Sequence, residues 1–223
     1  PKFVPSEAVT VTLGDQATVR VRMVDSVGYL VDGALGTEEE GAARMVHTPW
    51  FDYDIPFEQA AEIGTRKVIA DHATIGLVVT TDGSIADLPR DAYADPEERV
   101  VRELKQLGKP FIMVLNSRHP EEETTEKLRG RLSERYAVPV MALNVKEMSL
   151  ADILGVFEQV LFQFPLREIQ VSVPGWLNAL DENHWLVQHV LNGVRQGAEG
   201  VSRMRDHTDF AEAFAESPFS DGL

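Results

Sequence analysis

The segment PFIMVLNS, residues 110–117, is apolar throughout its first six positions and polar at Asn116 and Ser117. A short, continuous apolar run bounded in this way is typical of a strand that is buried on both faces. A helical pattern precedes it over residues 96–107, and another follows over residues 125–136. Strands of this kind alternating with helices predict an α/β fold, in which helices cover both faces of a mainly parallel sheet.

The remaining elements follow from the same patterns. They are a β-hairpin of residues 8–13 and 17–24 turning at Gly14 to Gln16, an irregular segment 26–56, helices 57–72 and 149–164, and strands 74–80 and 138–143. Beyond residue 165 the pattern changes to a predicted strand over 167–173 and a polar helical stretch from Leu177. We therefore expect one domain over residues 1–165 and the beginning of a second, α+β domain over residues 166–223.

Composition narrows the functional classes. The 223 residues carry 36 acidic and 21 basic side chains, a net charge of -15, which argues against binding nucleic acid through its phosphates. The absence of cysteine excludes disulfides, thiolate metal sites and cysteine nucleophiles. No apolar run approaches the ~18 residues of a membrane span, and the histidines lack the spacing of a transition-metal site. Because the chain begins with Pro1 rather than methionine, we expect further sequence upstream.

Polar residues follow the predicted strands at the place where open parallel sheets bind ligands, beyond the carboxyl ends. They are Asp25, Thr80 to Asp82, Asn116 with Ser117, and Asn144. Asp25 and Gly28 have the spacing D-x-x-G. In phosphate-hydrolysing P-loop proteins this motif places a carboxylate near the water shell of Mg²⁺ and directs a backbone N–H to the terminal phosphate. The alternative is that Asp25 only ends a strand, as a turn former or helix cap.

The residues at the end of PFIMVLNS bear on the choice of nucleotide. Guanine-binding P-loop proteins carry N-K-x-D here, and the aspartate accepts hydrogen bonds from the base. In this chain the four residues are Asn116, Ser117, Arg118 and His119, so both the lysine and the aspartate are missing. A nucleotide without that requirement, ATP most simply, fits better. The alternative is that Asn116 merely ends the strand in an Asx-turn before Pro120.

Five longer stretches carry a family resemblance. They are VRMVDSVGY (21–29), ARMVHTPW (43–50), AAEIGTRKVIADHATIGLVVTTDGSI (60–85), GKPFIMVLNS (108–117) and ENHWL (182–186). In them the chain resembles the stage IV sporulation protein A family, and the likeness runs through most of residues 1–205. The resemblance implies a P-loop NTPase of the translation-factor-like class that hydrolyses ATP with Mg²⁺ and uses the energy to polymerise into the base of the spore coat.

Four residues are predicted to form the nucleotide site. The resemblance implies that Asp25 is the acidic residue of the second magnesium motif, acting on the metal through water. Gly28 of the D-x-x-G motif and the strand-end residues Asn116 and Ser117 are predicted to contact the nucleotide. The phosphate-binding loop of that class, G-x-x-x-x-G-K-S/T, does not occur in the 223 residues. The family's first-switch threonines also lie upstream of the segment that matches PKFVP. We therefore expect this chain alone to bind nucleotide poorly and to hydrolyse it hardly at all. The intact parent protein is expected to be the ATPase.

The resemblance also implies partners and a location. The partners are copies of the chain in a polymer, a small amphipathic membrane-associated peptide and other coat-assembly proteins, with no nucleic acid and no transmembrane segment. The location is the mother-cell cytoplasm, peripherally at the outer membrane surface of the forespore.

Two other interpretations compete with that of an ATPase. One is a non-catalytic structural scaffold with a degenerate nucleotide fold. A phosphate-binding loop in the full protein would argue against this scaffold. The other, a receiver-like switch phosphorylated on Asp25 with Thr80 as its switching hydroxyl, fails because Asn116 stands where that switch needs a lysine.

Two further features have structural explanations. Trp50, Trp176 and Trp185 are expected to be packing anchors, the last two fastening the second domain. The acidic run from Glu38 to Glu40 is expected to be a solvated loop.

Overall fold

The computed structural model describes residues 5, 7–13, 17–39 and 41–206. The chain forms two compact units, Pro1–Val160 and Leu161–Leu223. The parallel sheet predicted around PFIMVLNS lies in the first unit.

The described residues contain short strands, helices and single turns. In chain order the strands are β1 Val9–Leu13, β2 Ala17–Val21, β3 Glu38–Glu39, β4 Ala42–Ala43, β5 Met45–Val46, β6 Ile55–Pro56, β7 Gly76–Thr81, β8 Phe111–Asn116 and β9 Val140–Leu143. The helices are α1 Phe57–Lys67, α2 Ala94–Gln106, α3 Glu123–Tyr136, α4 Leu150–Phe162 and α5 Trp185–Ala198. A π-helical turn, Val68–His72, continues α1, and 3₁₀ turns cover Arg90–Tyr93, Val145–Glu147, Leu177–Ala179 and Met204–Asp206.

The centre of the first unit is a parallel sheet in the order β7-β8-β9. Its middle strand, β8, is almost completely buried from Phe111 to Leu115. Every second residue of that span packs in a cluster with α2 and α3, while Ile112 and Val114 between them pack with α4. Helices therefore cover both faces of β8, which confirms the α/β fold predicted from its apolar sequence.

β7 lies at one edge of this sheet and is covered less completely. Val78 packs in the cluster with α2 and α3. On the opposite face Leu77 is 41% exposed and Val79 is 58% exposed. The cluster around α4 takes its strand residues from β8 and β9, so it leaves this face of β7 open.

The predicted hairpin is present but shorter than expected. β1 and β2 pair antiparallel, with Val9 opposite Val21. The apolar alternation continues to Val24, but β2 ends at Val21 because the pairing with β1 stops there. Asp25 therefore does not directly follow a strand, which corrects the prediction. The predicted turn from Gly14 to Gln16 lies outside the described residues.

The segment predicted to be irregular contains two small antiparallel pairs, β3 with β4 and β5 with β6. Glu38 and Glu39 are exposed as expected, but they form β3 rather than a loop, and Glu40 lies outside the described residues. β6 leads directly into α1, so the predicted helix is confirmed and follows a short strand rather than a loop.

In the second unit the strand predicted over residues 167–173 is wrong. Within its described part, 161–206, the only β pairing is a single bridge between Pro165 and Arg203. A strand needs a partner for its backbone N–H and C=O groups, and alternation in sequence does not provide one. The helical stretch expected from Leu177 begins there as one 3₁₀ turn, and α5 follows.

The three tryptophans differ in their packing. Trp50 lies against α1, where a Cβ added at Gly64 would come within 3.1 Å of its ring. Trp176 and Trp185 are both more than half exposed, so the prediction that they are packing anchors is wrong for these two.

Candidate functional site

The parallel strands end side by side. Thr81 of β7 pairs with Asn116 of β8, which in turn pairs with Leu143 of β9. Three polar residues follow these strand ends along one carboxyl edge: Asp82, Ser117 and Asn144. The structure thus brings together the predicted site residues that come after β7, β8 and β9.

Asn116 joins two of the strand ends. Its side-chain Oδ1 accepts a hydrogen bond from the backbone N–H of Val145, at 3.1 Å. Val145 lies in the turn after β9, so Asn116 fixes that turn to the end of β8. The alternative that Asn116 makes an Asx-turn before Pro120 is wrong, because its side-chain oxygen bonds to a residue far along the chain.

Ser117 forms the local turn instead. Its Oγ accepts a hydrogen bond from the backbone N–H of His119 at 2.9 Å and lies 3.5 Å from Oγ1 of Thr125. Its own N–H donates to the carbonyl of Leu143 at 2.9 Å. The side chain is fully buried, so Ser117 shapes the loop and does not present its hydroxyl at the surface.

Asp82 is the centre of the hydrogen bonds at this edge. Its Oδ1 accepts from the backbone N–H of Ser84 at 2.9 Å and from the Ser84 hydroxyl at 2.6 Å, and its Oδ2 lies 3.4 Å from the Thr125 hydroxyl. Burial acts to raise the pKa of Asp82, but hydrogen bonds from Ser117, Ser84 and Thr125 outweigh it and lower the pKa. The sequence marked Asp82 only as a strand-end residue, since its partners come from three separate segments.

Asp82→Asn is expected to lower the free energy of unfolding by about 1.5–3 kcal/mol at pH 7, because hydrogen bonds to a charged acceptor are lost. The folded-state pKa is depressed, so the contribution is present above the unfolded-state pKa, about 4, and is lost as the pH falls through the folded-state pKa. Urea denaturation at several pH values measures this difference. Asp71→Asn, at an exposed position on the π-helical turn, is the control. A deficit that does not shrink in acid would contradict the assignment.

A buried ion pair lies beside this edge. The carboxylate of Glu97 on α2 is 2% exposed, and Nη2 of Arg90 lies 3.0 Å from its Oε1 and 2.8 Å from its Oε2. The hydroxyl of Tyr136 donates to the same Oε1 at 2.9 Å, and burial together with this bond raises the pKa of Tyr136 to about 12. Arg90 also donates to the hydroxyl of Thr80 on β7 at 3.1 Å. The end of β7 is therefore tied to α2 and α3.

Asp25 and Gly28 lie in a separate segment after β2. The Asp25 side chain is exposed, and among the described residues β2 pairs only with β1, so the sheet does not link Asp25 to the edge at Asn116. Gly28 has a left-handed φ of 82°, and its N–H donates to Oγ1 of Thr65 on α1 at 3.0 Å. The amide expected to face a phosphate is therefore bonded within the protein.

Tyr29 anchors the same segment. It is buried, its hydroxyl donates to the Glu103 carboxylate on α2, and the Arg99 guanidinium lies 4.1 Å from the centre of its ring. Burial, followed by the hydrogen bond to Glu103, raises the pKa of Tyr29, so the phenol is protonated at neutral pH. Sequence reasoning missed this anchor, because Glu103 lies 74 residues further along the chain.

A cleft of about 470 Å³ lies beside the ends of β8 and β9. Its walls include Arg118, Pro120, Leu143, Asn144 and Glu147. Four further lining residues are charged: Glu121, Glu126, Arg129 and Asp152. The cleft is therefore mainly polar, which suits a polar ligand. A phosphate loop motif is missing from the 223 residues.

In the part of the chain that the structure describes, no group of three or more His, Asp or Glu side chains is placed to bind a metal ion. Mg²⁺ normally takes one or two carboxylates and completes its shell with water and phosphate oxygens. The exposed carboxylate of Asp25 has the chemistry for that role.

Two family models match the chain in succession. The model described as stage IV sporulation protein A, ATPase domain, matches residues 1–165, and the model described as the middle domain of the same protein matches residues 166–222. The chain belongs to the stage IV sporulation protein A family. The resemblance inferred from sequence is thereby confirmed, and the carboxyl edge with its cleft lies in the family's ATPase domain. An ATPase domain implies nucleotide binding.

Relatives named Stage IV sporulation protein A match almost the whole chain. Those of Bacillus subtilis (strain 168) and Clostridioides difficile (strain 630) are each 48% identical over 219 residues, 98% of this chain and 44% and 45% of the relatives. That of Bacillus anthracis is 46% identical over 221 residues, 99% of this chain and 45% of the relative. The chain thus spans less than half the length of these curated relatives. No solved structure matches it.

None of the described helices is both long enough and apolar enough to cross a bilayer.

Proposed function

We propose that this chain is the nucleotide-binding part of a sporulation ATPase that binds ATP and Mg²⁺ and uses hydrolysis to drive self-assembly of the basement layer of the spore coat. The observation that carries the proposal is the match of the family's ATPase domain to residues 1–165, the region that contains the parallel sheet and its polar edge. Ligands of open parallel sheets bind at that edge.

Within this proposal the residues after β8 and β9 hold the base and sugar end of the nucleotide. Hydrogen bonds hold both loops there: Asn116 binds the turn at Val145, and Ser84, itself bound to Asp82, binds the loop after Ser117. The chain has no carboxylate at position 119, where a guanine-reading aspartate would stand, which supports an adenine nucleotide.

The phosphate end of the nucleotide involves Asp25 and Gly28. Asp25 would hold Mg²⁺ through a water molecule, and the Gly28 N–H would donate to the terminal phosphate. Bound Mg²⁺ would supply charge neutralisation across the phosphate oxygens. The protein residues contribute orientation, because both lie in a segment that Tyr29 anchors to α2.

A phosphate-binding loop would come from outside these 223 residues. The open face of β7, where Leu77 and Val79 are exposed, offers an apolar surface next to the strand end at which such a segment would pack. The chain alone is therefore expected to bind nucleotide poorly and to be nearly inactive in hydrolysis.

The proposed partners are other copies of the same protein, a small amphipathic membrane-associated peptide and other coat-assembly proteins. The proposed location is the mother-cell cytoplasm, at the outer membrane surface of the forespore. A net charge of -15 supports protein partners rather than nucleic acid.

Asp25→Ala in the full-length protein is expected to lower Mg²⁺-dependent ATP turnover by about 10–100-fold, because a group that orients a metal through water is removed. Turnover and sedimentation of the assembled protein are the measurements. Asp52→Ala, at another exposed loop aspartate, is the control and should leave both unchanged. Unchanged turnover and assembly in Asp25→Ala would reject the role of Asp25. Assembly without any ATP turnover in the unmutated protein would favour the alternative, a structural scaffold with a degenerate nucleotide fold.

A further inference from the structure

The hydrogen bond between Gly28 and Thr65 joins the D-x-x-G segment to α1. The donor is the backbone N–H of Gly28 and the acceptor is the Thr65 hydroxyl, 3.0 Å away. Thr65 is 2% exposed, so water does not readily replace this acceptor. In this conformation the Gly28 amide is not available to a ligand, because a backbone N–H has one proton to donate.

The residues on either side of Gly28 differ in how they are held. Tyr29 is buried and fixed by Glu103 and by the guanidinium of Arg99. On the other side Asp25 is exposed. Gly28 itself has φ of 82° and no heavy atom within 4 Å of an added Cβ, so its peptide has both the conformational freedom and the space to turn. The segment therefore has a fixed point at Tyr29 and a single breakable bond just before it.

We propose that Thr65 is a latch that competes with the terminal phosphate of the nucleotide for the Gly28 N–H. With the bond to Thr65 made, the amide is withheld from the phosphate. When a triphosphate binds, the amide leaves Thr65 and turns toward the phosphate while Tyr29 stays in place. Thr65 therefore weakens triphosphate binding without affecting the diphosphate, and it links the nucleotide state to α1. This inference rests on the proposed function of Asp25 and Gly28.

Thr65→Val tests the latch because it removes the acceptor and keeps the shape of the side chain. In the full-length protein with Mg²⁺, the affinity for a non-hydrolysable ATP analogue is expected to rise about three- to tenfold, the equivalent of one net hydrogen bond. The affinity for ADP is expected to stay unchanged, since ADP has no terminal phosphate. Isothermal titration calorimetry measures both affinities.

Two control variants separate the latch from general effects on packing. Thr65→Ser keeps the hydroxyl and should retain the unmutated ratio of the two affinities. Thr48→Val changes another buried threonine, whose hydroxyl has no hydrogen-bond partner in the described structure, and should also leave the ratio unchanged. Equal affinities for the analogue in Thr65→Val and the unmutated protein would overturn the inference, as would a parallel change for ADP.

Hydrogen–deuterium exchange tests the latch in the unmutated protein, so the result does not depend on whether a variant folds. The peptide that contains Gly28 is expected to change its exchange rate with the ATP analogue and not with ADP. An unchanged rate with bound analogue would overturn the latch while leaving the proposed function standing. Failure of the unmutated protein to bind either nucleotide would instead reject the proposed function, and the latch with it.

Discussion

Arg90→Met is expected to lower the free energy of unfolding by about 3–5 kcal/mol, the range for breaking a buried ion pair from one side. The Glu97 carboxylate is 2% exposed, and Arg90 contacts both of its oxygens. Methionine keeps much of the volume of the side chain but leaves the carboxylate in the core with only the Tyr136 hydroxyl. The hydroxyl of Thr80, at the end of β7, loses its donor as well. Urea denaturation at pH 7 measures the loss.

Arg102→Met is the matched control for this prediction. Arg102 also pairs with a glutamate of α2, Glu98, but at the surface, where removal of a pair costs about 0.2–1 kcal/mol. The double variant Arg90→Met with Glu97→Gln removes the stranded charge and should recover part of the loss. If Arg90→Met costs no more than Arg102→Met, the buried pair contributes no more than a surface pair. If the double variant recovers nothing, the cost does not come from the stranded charge.

The sequence predicted the parts of the fold that local patterns determine. The apolar run of PFIMVLNS between two helical patterns predicted a strand buried on both faces, and β8 lies at the centre of the sheet as expected. Pairing beyond a single segment was not predictable in this way. Residues 167–173 and the end of the hairpin at Val24 alternate like strands, yet both lack a partner strand within the described residues.

The candidate site shows the same division between local and distant causes. The sequence predicts Asn116, Ser117 and Asn144 as candidate site residues because they follow apolar strands, which is a purely local signal. Nothing in the local sequence around Glu97 predicts that the fold buries its carboxylate against Arg90. The bond between Gly28 and Thr65 has no signal in sequence at all, since it depends on where α1 packs.

Gly83→Ala is expected to lower the free energy of unfolding by about 2–5 kcal/mol, the sum of two separate costs. Gly83 has φ of 92°, which costs a residue with a Cβ about 1–2 kcal/mol. A Cβ would also lie 2.9 Å from the backbone nitrogen of Arg90, and backbone atoms cannot rotate away as a side chain does. Overpacking of this kind typically costs a further ~1–3 kcal/mol. The displaced turn would disturb Asp82, whose hydrogen bonds hold the loops at the sheet edge.

Gly36→Ala separates these two costs. Gly36 has nearly the same backbone conformation, with φ of 89°, but no heavy atom lies within 4 Å of an added Cβ. It should lose only the conformational part, about 1–2 kcal/mol in urea denaturation. The excess loss in Gly83→Ala then measures the close approach between the turn after β7 and the backbone at Arg90. Equal losses in the two variants would mean that the turn after β7 has room to relax. The close approach between Gly83 and Arg90 would then not be needed to keep Asp82 in place.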